Sequence, residues 1–294
     1  MFSTVEEIKF WIEPQINSYR GPLFITRSLE SPVGDNIISN GGFGLVDTGK
    51  KKLLVTCQHV WKKFQDEHSQ DSNVRMCVCL DQHGPVVFDQ NEPIDQNSKL
   101  DIAAFDVSPV LTACGGRQFY RLDQNPAPGV TKGDKLVLLG NQGMFRSATG
   151  EGLEFGVTIY ACEVSDVSGL RVVANLSTAK KIYDKQPVRT PESGASQHGG
   201  ISGSPCFLVR DDRPVRLVGF VTDDWRDSLW LTHARCLNLD GRISLSAAQG
   251  HADAKKVLPT VEGGLTAGQI SKAQQLVREV KPRKSAEEGG FDSR

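Results

Sequence analysis

Gly199-Gly200-Ile201-Ser202-Gly203-Ser204-Pro205 leads without a break into the apolar run Cys206-Phe207-Leu208-Val209. A serine that acts as a nucleophile needs small neighbours. They let the backbone turn sharply, leave room for a substrate and aim amide N–H groups at a developing oxyanion. The stretch meets those needs around Ser202. Taken alone it fits a plain glycine-rich entry to a strand about equally well. Outward from it the texture is strand-rich. Short apolar runs at 43–46, 53–55, 76–80, 86–88, 102–107, 136–139, 157–164, 170–174, 205–209, 217–221 and 229–231 are separated by turn residues. Asp47-Thr48-Gly49-Lys50 reads as a hairpin connection between two of them. About a dozen strands without intervening long helices predict an all-β barrel or sandwich.

A serine is a poor nucleophile without a general base. Leu53-Leu54-Val55-Thr56-Cys57-Gln58-His59-Val60 sets a histidine just past the end of an apolar strand, and Lys99-Leu100-Asp101-Ile102-Ala103-Ala104-Phe105 sets an acid at the head of another. A lone histidine in such a place is more often structural, and Asp101 could simply cap a turn. The three together are far more specific than apart, because their order along the chain is His, Asp, Ser, the chymotrypsin-type order and not that of subtilisins or α/β-hydrolases.

On these residues the chain resembles the trypsin/chymotrypsin-like serine peptidases, in style the disulfide-free bacterial members such as the high-temperature-requirement and glutamyl endopeptidase-like proteases. Thr56-Cys57-Gln58-His59 is similar to their histidine box, Asp101-Ile102-Ala103 to their Asp-Ile-Ala run, and the stretch from Gly200 to Pro205 to their Gly-X-Ser-Gly-X-Pro. Gly133-Asp134-Lys135-Leu136-Val137-Leu138-Leu139-Gly140 resembles the opening strand of the second barrel, and Leu217-Val218-Gly219-Phe220-Val221 the strand that lines the cleft.

The resemblance spans about residues 21–243 and implies an all-β fold of two six-stranded antiparallel barrels, 21–122 and 131–245. The Pro/Gly-rich 123–130 would be the linker, 1–20 an N-terminal helical extension, and 246–294 a short helix with a flexible tail. It implies a serine endopeptidase with His59, Asp101 and Ser202 as catalytic triad and the Gly200 and Ser202 amides as oxyanion hole. No cofactor or metal is implied. By offset from Ser202, Ser196 falls at the base of the pocket for the residue before the scissile bond, and Thr222, Asp223 and Asp224 border the cleft; the resemblance to glutamyl endopeptidases implies that His198, at a different position from theirs, would stabilise an acidic side chain in that pocket.

The chain also departs from the family pattern. Cys57 replaces a small alanine and has no cysteine placed to form the disulfide seen in secreted relatives. Ile201 stands where zymogen-type members carry an acid that pairs with a newly cut N-terminus, so activation by that cleavage is not expected. Gly199-Gly200 makes a peptide flip at the oxyanion loop sterically cheap. This raises the expectation of an activating protein partner that selects the competent form.

Composition narrows the remaining classes. With 294 residues, 38% hydrophobic and 23% charged, the chain reads as globular, and a formal net charge of −1 gives no pull toward nucleic acid or anionic lipid. No segment reads as a secretory signal or a membrane span, and Ser3 or Thr4 followed by Glu6 and Glu7 reads as a capped helix start. Seven cysteines without framework spacing read as reduced thiols in a cytoplasmic protein, and Cys77 with Cys79 is a weak zinc signal because no second ligand pair sits nearby. The expected partners are a protein or peptide substrate and an activator, with no nucleic acid and no membrane. The rival readings are a catalytically silent trypsin-like barrel that binds protein, and an esterase using the same chemistry.

Overall fold

The structure, a computed structural model, describes residues 10, 12–30, 36–81, 84–89, 92–109, 117–141, 146–149, 152–183, 199–210, 214–225 and 227–245. The expected start of the N-terminal helix at Ser3 or Thr4, and the expected helix and tail of 246–294, lie outside them. A short helix α1 (Glu13–Asn17) leads into the first group of strands. These are β1 (Arg20–Thr26), β2 (Ile37–Asp47), β3 (Lys52–Thr56), β4 (Arg75–Asp81), β5 (Gly84–Val87), β6 (Asp95–Asn97), β7 (Ile102–Asp106) and β8 (Tyr120–Arg121). The second group comprises β9 (Lys135–Gly140), the hairpin β10 (Arg146–Thr149) and β11 (Gly152–Phe155), β12 (Thr158–Ser168), β13 (Arg171–Tyr183), β14 (Pro205–Val209), β15 (Arg216–Trp225) and β16 (Ser228–His233).

In the second group β12-β13-β16-β15-β14-β9 close into a six-stranded antiparallel barrel. The first group forms a sheet in the order β5-β4-β1-β2-β3-β7-β6, with β8 added in parallel beside β2. It carries two more strands than the six expected. Both additions are short pairings: three residues of β6 on β7, and two of β8, which bring Tyr120 into the apolar core. The expected hairpin at 47–50 joins β2 to β3, which pair from Asp47↔Lys52 to Gly44↔Val55.

The apolar runs are explained by burial on both faces. On β9, Leu136 and Leu138 point into the closed barrel with Tyr160, Val164, Val221 and Leu231. Val137 and Leu139, one residue out of phase, point the other way, into a core shared with Leu53, Val55 and Ile102 of the first sheet. Leu54, between those two on β3, faces the interior of the first sheet with Phe43, Met76 and Phe105. Strands that serve two cores read as continuous hydrophobic runs rather than as alternation.

The sequence reading expected no long helix within the strands, and here the structure differs. Helix α2 (Gln58–Gln70) follows β3 directly. Val60, Trp61 and Phe64 form its buried stripe against the first sheet's core, and Lys63 pairs with Glu67 one turn on along its outer face. Three apolar positions in thirteen residues make a narrow stripe, which the short-run pattern of the neighbouring strands concealed.

Candidate active site

The helix start sets the geometry of His59. Cys57 is the N-cap of α2 but makes no side-chain cap, so the first amides of the helix need an outside acceptor. Asp101 provides it. Its Oδ1 accepts the backbone N–H of His59 at 2.9 Å, and its Oδ2 lies 2.7 Å from Nδ1 of the same residue. One carboxylate therefore fixes both the main chain and the ring of His59. Asp101 holds φ +52°, the single left-handed non-glycine residue among those described. That conformation costs energy and persists where surrounding contacts enforce it. The Leu100 amide donates to Asn97 Oδ1 (3.0 Å), the Lys99 carbonyl accepts from the Arg171 guanidinium, and the Leu100 carbonyl accepts from the Thr232 hydroxyl. The Asp101 turn is thus pinned to the second barrel as well as to α2.

The Ser202 loop meets the same helix start. The carbonyl of Val221 accepts the Gly203 amide (2.7 Å) and the Cys57 thiol (3.0 Å) together. The residue after Ser202 and the residue two before His59 therefore converge on one oxygen atom. Gly200 and Gly203 have φ of +100° and +90°. At Gly203 a Cβ would lie 2.1 Å from the Gly42 carbonyl oxygen and 2.6 Å from Thr56 Oγ1, so glycine is required there by space as well as by conformation. Among the described residues neither the Gly200 nor the Ser202 amide has a protein acceptor.

His59 is half exposed and Asp101 mostly covered, at 52% and 20% of their side-chain surface. Both line an open cavity of about 410 Å³ whose other walls are Arg171, Thr222 and Asp223. Arg171 spans it, donating to Thr222 Oγ1 at 3.1 Å. The structure thus brings His59 and Asp101 into contact, ties Gly203, next to Ser202, to the same Val221 carbonyl as Cys57, and puts Thr222 and Asp223 on the wall of the cavity that His59 and Asp101 line. Ser196 and His198 lie outside the described residues.

Cys57 Sγ, a His59 nitrogen and an Asp101 oxygen lie within 4.8 Å of one another, a spacing open to a metal ion. Burial first, and then the Asp101 charge, push the Cys57 thiol well above its ordinary range, so it is a protonated donor to Val221 rather than a ready ligand or nucleophile. Six cysteines fall on described residues; none of them is in a disulfide, and all but Cys79 are buried. Cys114 lies outside them.

Two residues were missed from the sequence. Arg171 opens β13 with no motif around it, and its part in the site comes from the turn it holds. Cys57 was read as a departure from a pattern; its thiol is a tether between the helix start and the cleft strand.

A closed six-stranded barrel lies beside a second sheet, antiparallel but for β8, with the histidine and the serine carried by different halves. Among solved structures the chain is similar to a serine endoprotease from Yersinia pestis, at 12% identity and a TM-score of 0.45, over 91% of this chain. The chain spans 65% of the length of that protein. It is also similar to Deg5, at 14% identity and a TM-score of 0.43, over 76% of this chain and 88% of that one. No family model matches the chain, and no curated protein sequence is detectably similar to it.

Proposed function

We propose that the chain is a serine endopeptidase that hydrolyses peptide bonds through Ser202, His59 and Asp101. The observation that carries this reading is the two-point hold of Asp101 on His59. With Oδ2 against Nδ1, the ring proton stays on Nδ1, and Nε2 is left as the base. His59 Nε2 takes the proton of Ser202 Oγ as that oxygen attacks the substrate carbonyl. The carbonyl π pair moves onto its oxygen, where the Gly200 and Ser202 amides receive the charge. Collapse of the tetrahedral adduct expels the amine, which takes the proton from His59 and leaves an ester on Ser202. Water, activated by the same nitrogen, then releases the acid. The cavity walled by Arg171, Thr222 and Asp223 receives substrate side chains on one flank of His59.

The substrate is a protein or peptide, and the free, buried thiols suit a reducing compartment such as the cytoplasm. Activation by a protein partner remains part of the proposal, since Gly199-Gly200 permits a flipped, incompetent loop in the unbound chain. The deciding experiment is covalent labelling with a fluorophosphonate probe, followed by peptide mapping and by cleavage of a peptide library. Labelling at Ser202, lost in Ser202→Ala and in His59→Ala, is the expected result. A chain that neither labels nor cleaves, alone or with co-purifying partners, is instead the silent binding barrel.

A further inference from the structure

Arg171 is the permanent cation among the residues that line the cavity of His59 and Asp101. Its place is fixed at both ends. The backbone opens β13, where Arg171 pairs with Thr232 of β16, and the Thr232 hydroxyl donates to the Leu100 carbonyl. At the other end Nη1 donates to Thr222 Oγ1 at 3.1 Å and Nη2 donates to the Lys99 carbonyl. The Thr222 hydroxyl gives its own proton to the Trp230 carbonyl at 3.3 Å, which leaves its lone pairs for Arg171. A long, flexible side chain is thus held in one pose across the cavity before any substrate arrives.

A guanidinium has five N–H donors. The two bonds leave one on each terminal nitrogen, and the one on Nε. Both acceptors are uncharged oxygens, and among the described residues no carboxylate pairs with this group. Arg75, Arg121 and Arg210 show the contrast, for they face Asp89, Asp123 and Asp134. Arg171 is partly exposed, so its remaining donors are open to what enters the cavity. Two carboxylates on the same walls oppose an entering anion. Asp101 already spends both oxygens on His59, and Asp223 stands exposed, where water and salt screen its charge. A carboxylate in direct, two-bond contact with the guanidinium gains more than that screened repulsion takes away.

We infer that Arg171 is a specificity-determining residue: it binds a carboxylate side chain of the substrate, so that peptides with aspartate or glutamate close to the scissile bond are the preferred class. The inference rests on the reading of the chain as a peptidase. Because the guanidinium is posed beforehand, little side-chain freedom is lost when the carboxylate binds. The same group holds the turn of Asp101 through the Lys99 carbonyl, so recognition of the substrate and orientation of His59 share one side chain. A lysine there would keep the charge and lose the planar fork.

The test reads selectivity rather than activity, because loss of the Lys99 bond lowers turnover on every substrate. Wild type, Arg171→Gln and Arg171→Lys are compared on a peptide library in which each position near the cleaved bond carries Glu, Gln or Lys in turn. Expected at one position is a wild-type kcat/KM about 10- to 100-fold higher for Glu than for Gln. That ratio falls below about threefold in Arg171→Gln and is partly kept in Arg171→Lys. A residue that only clamps the Asp101 turn lowers cleavage of Glu and Gln peptides alike, and that result overturns the inference. So does wild-type cleavage of the two within about threefold at every position, or a preference for Lys where Glu is expected. In each of these cases fluorophosphonate labelling of Ser202 leaves the peptidase reading standing. A wild-type chain that neither labels nor cleaves, alone or with co-purifying partners, overturns both.

Discussion

Replacing Asp101 with asparagine tests the site through a single atom. The side chain keeps its shape, and asparagine adopts φ near +52° as readily as aspartate, so the turn is retained. The question is which way the new amide faces. Oδ1 already accepts the His59 backbone N–H at 2.9 Å, and an NH₂ group there would set donor against donor. The amide oxygen therefore stays on the backbone, and the NH₂ group faces Nδ1, where Oδ2 had been at 2.7 Å. Nδ1 must then accept, the ring proton moves to Nε2, and the nitrogen that should take the Ser202 proton is occupied. The expected loss is about 10,000-fold in kcat/KM, or about 5 kcal/mol of barrier. Asp101→Ala loses the ring partner and the helix cap together and places alanine at positive φ. It should therefore also lose about 1–3 kcal/mol of stability, which Asp101→Asn should not. Fluorophosphonate labelling rates, peptide cleavage and urea denaturation of the three proteins read out both effects. An Asp101→Asn chain within tenfold of wild type would refute the two-point hold as the source of the tautomer.

Ser202→Ala and His59→Ala should each lower peptide cleavage by as much as about a million-fold with the denaturation midpoint little changed, and near-wild-type turnover by either purified variant ends the assignment. Gly203→Ala should be among the most damaging small changes in the chain. Its Cβ would sit 2.1 Å from the Gly42 carbonyl oxygen at a φ of +90°, and a loss of about 2–4 kcal/mol is expected in denaturation. Burial pushes the thiols of Cys162 and Cys236 from an ordinary value of 9.0 up to about 12. Their folded-state values are raised, so their contribution is intact below pH 9 and drains away as pH rises toward 12. Each should cost on the order of 1 kcal/mol by pH 10. A double Cys162→Ala, Cys236→Ala variant that loses as much stability as wild type between pH 8 and pH 10 would contradict this.

The β texture was legible because it is written in short, local patterns. Leu53 to Val55 and Leu136 to Leu139 are apolar throughout because each strand feeds two cores, and that reads directly as strand. Helix α2 was not legible. Its buried stripe is three residues, its cap comes from Asp101, 42 positions away, and a histidine at the end of a strand gives no sign that a helix begins there. The extra strands of the first sheet were hidden for a related reason: β6 is Asp95-Gln96-Asn97, polar throughout, and is ordered by its pairing with β7 rather than by its own composition.

Asn40 shows where local reading stops. Asn-Gly-Gly at 40–42 has the composition of a turn, and asparagine before glycine is a common turn signal. In the structure the three residues lie inside the eleven-residue strand β2, and glycine is there because a loop 160 residues later must lie against the backbone. The signal was present but belonged to tertiary contact. The pairing of strand and loop also constrains how the site can fail. Gly42 to Ser202, Thr56 Oγ1 to the Gly42 carbonyl, and Cys57 with Gly203 on Val221 form one continuous set of bonds across the two halves of the fold. A change that loosens any of them moves the serine loop relative to the helix that carries His59. Geometry between base and nucleophile is therefore only as firm as the docking of the two halves, and substitutions at that seam should reduce turnover before they reduce stability.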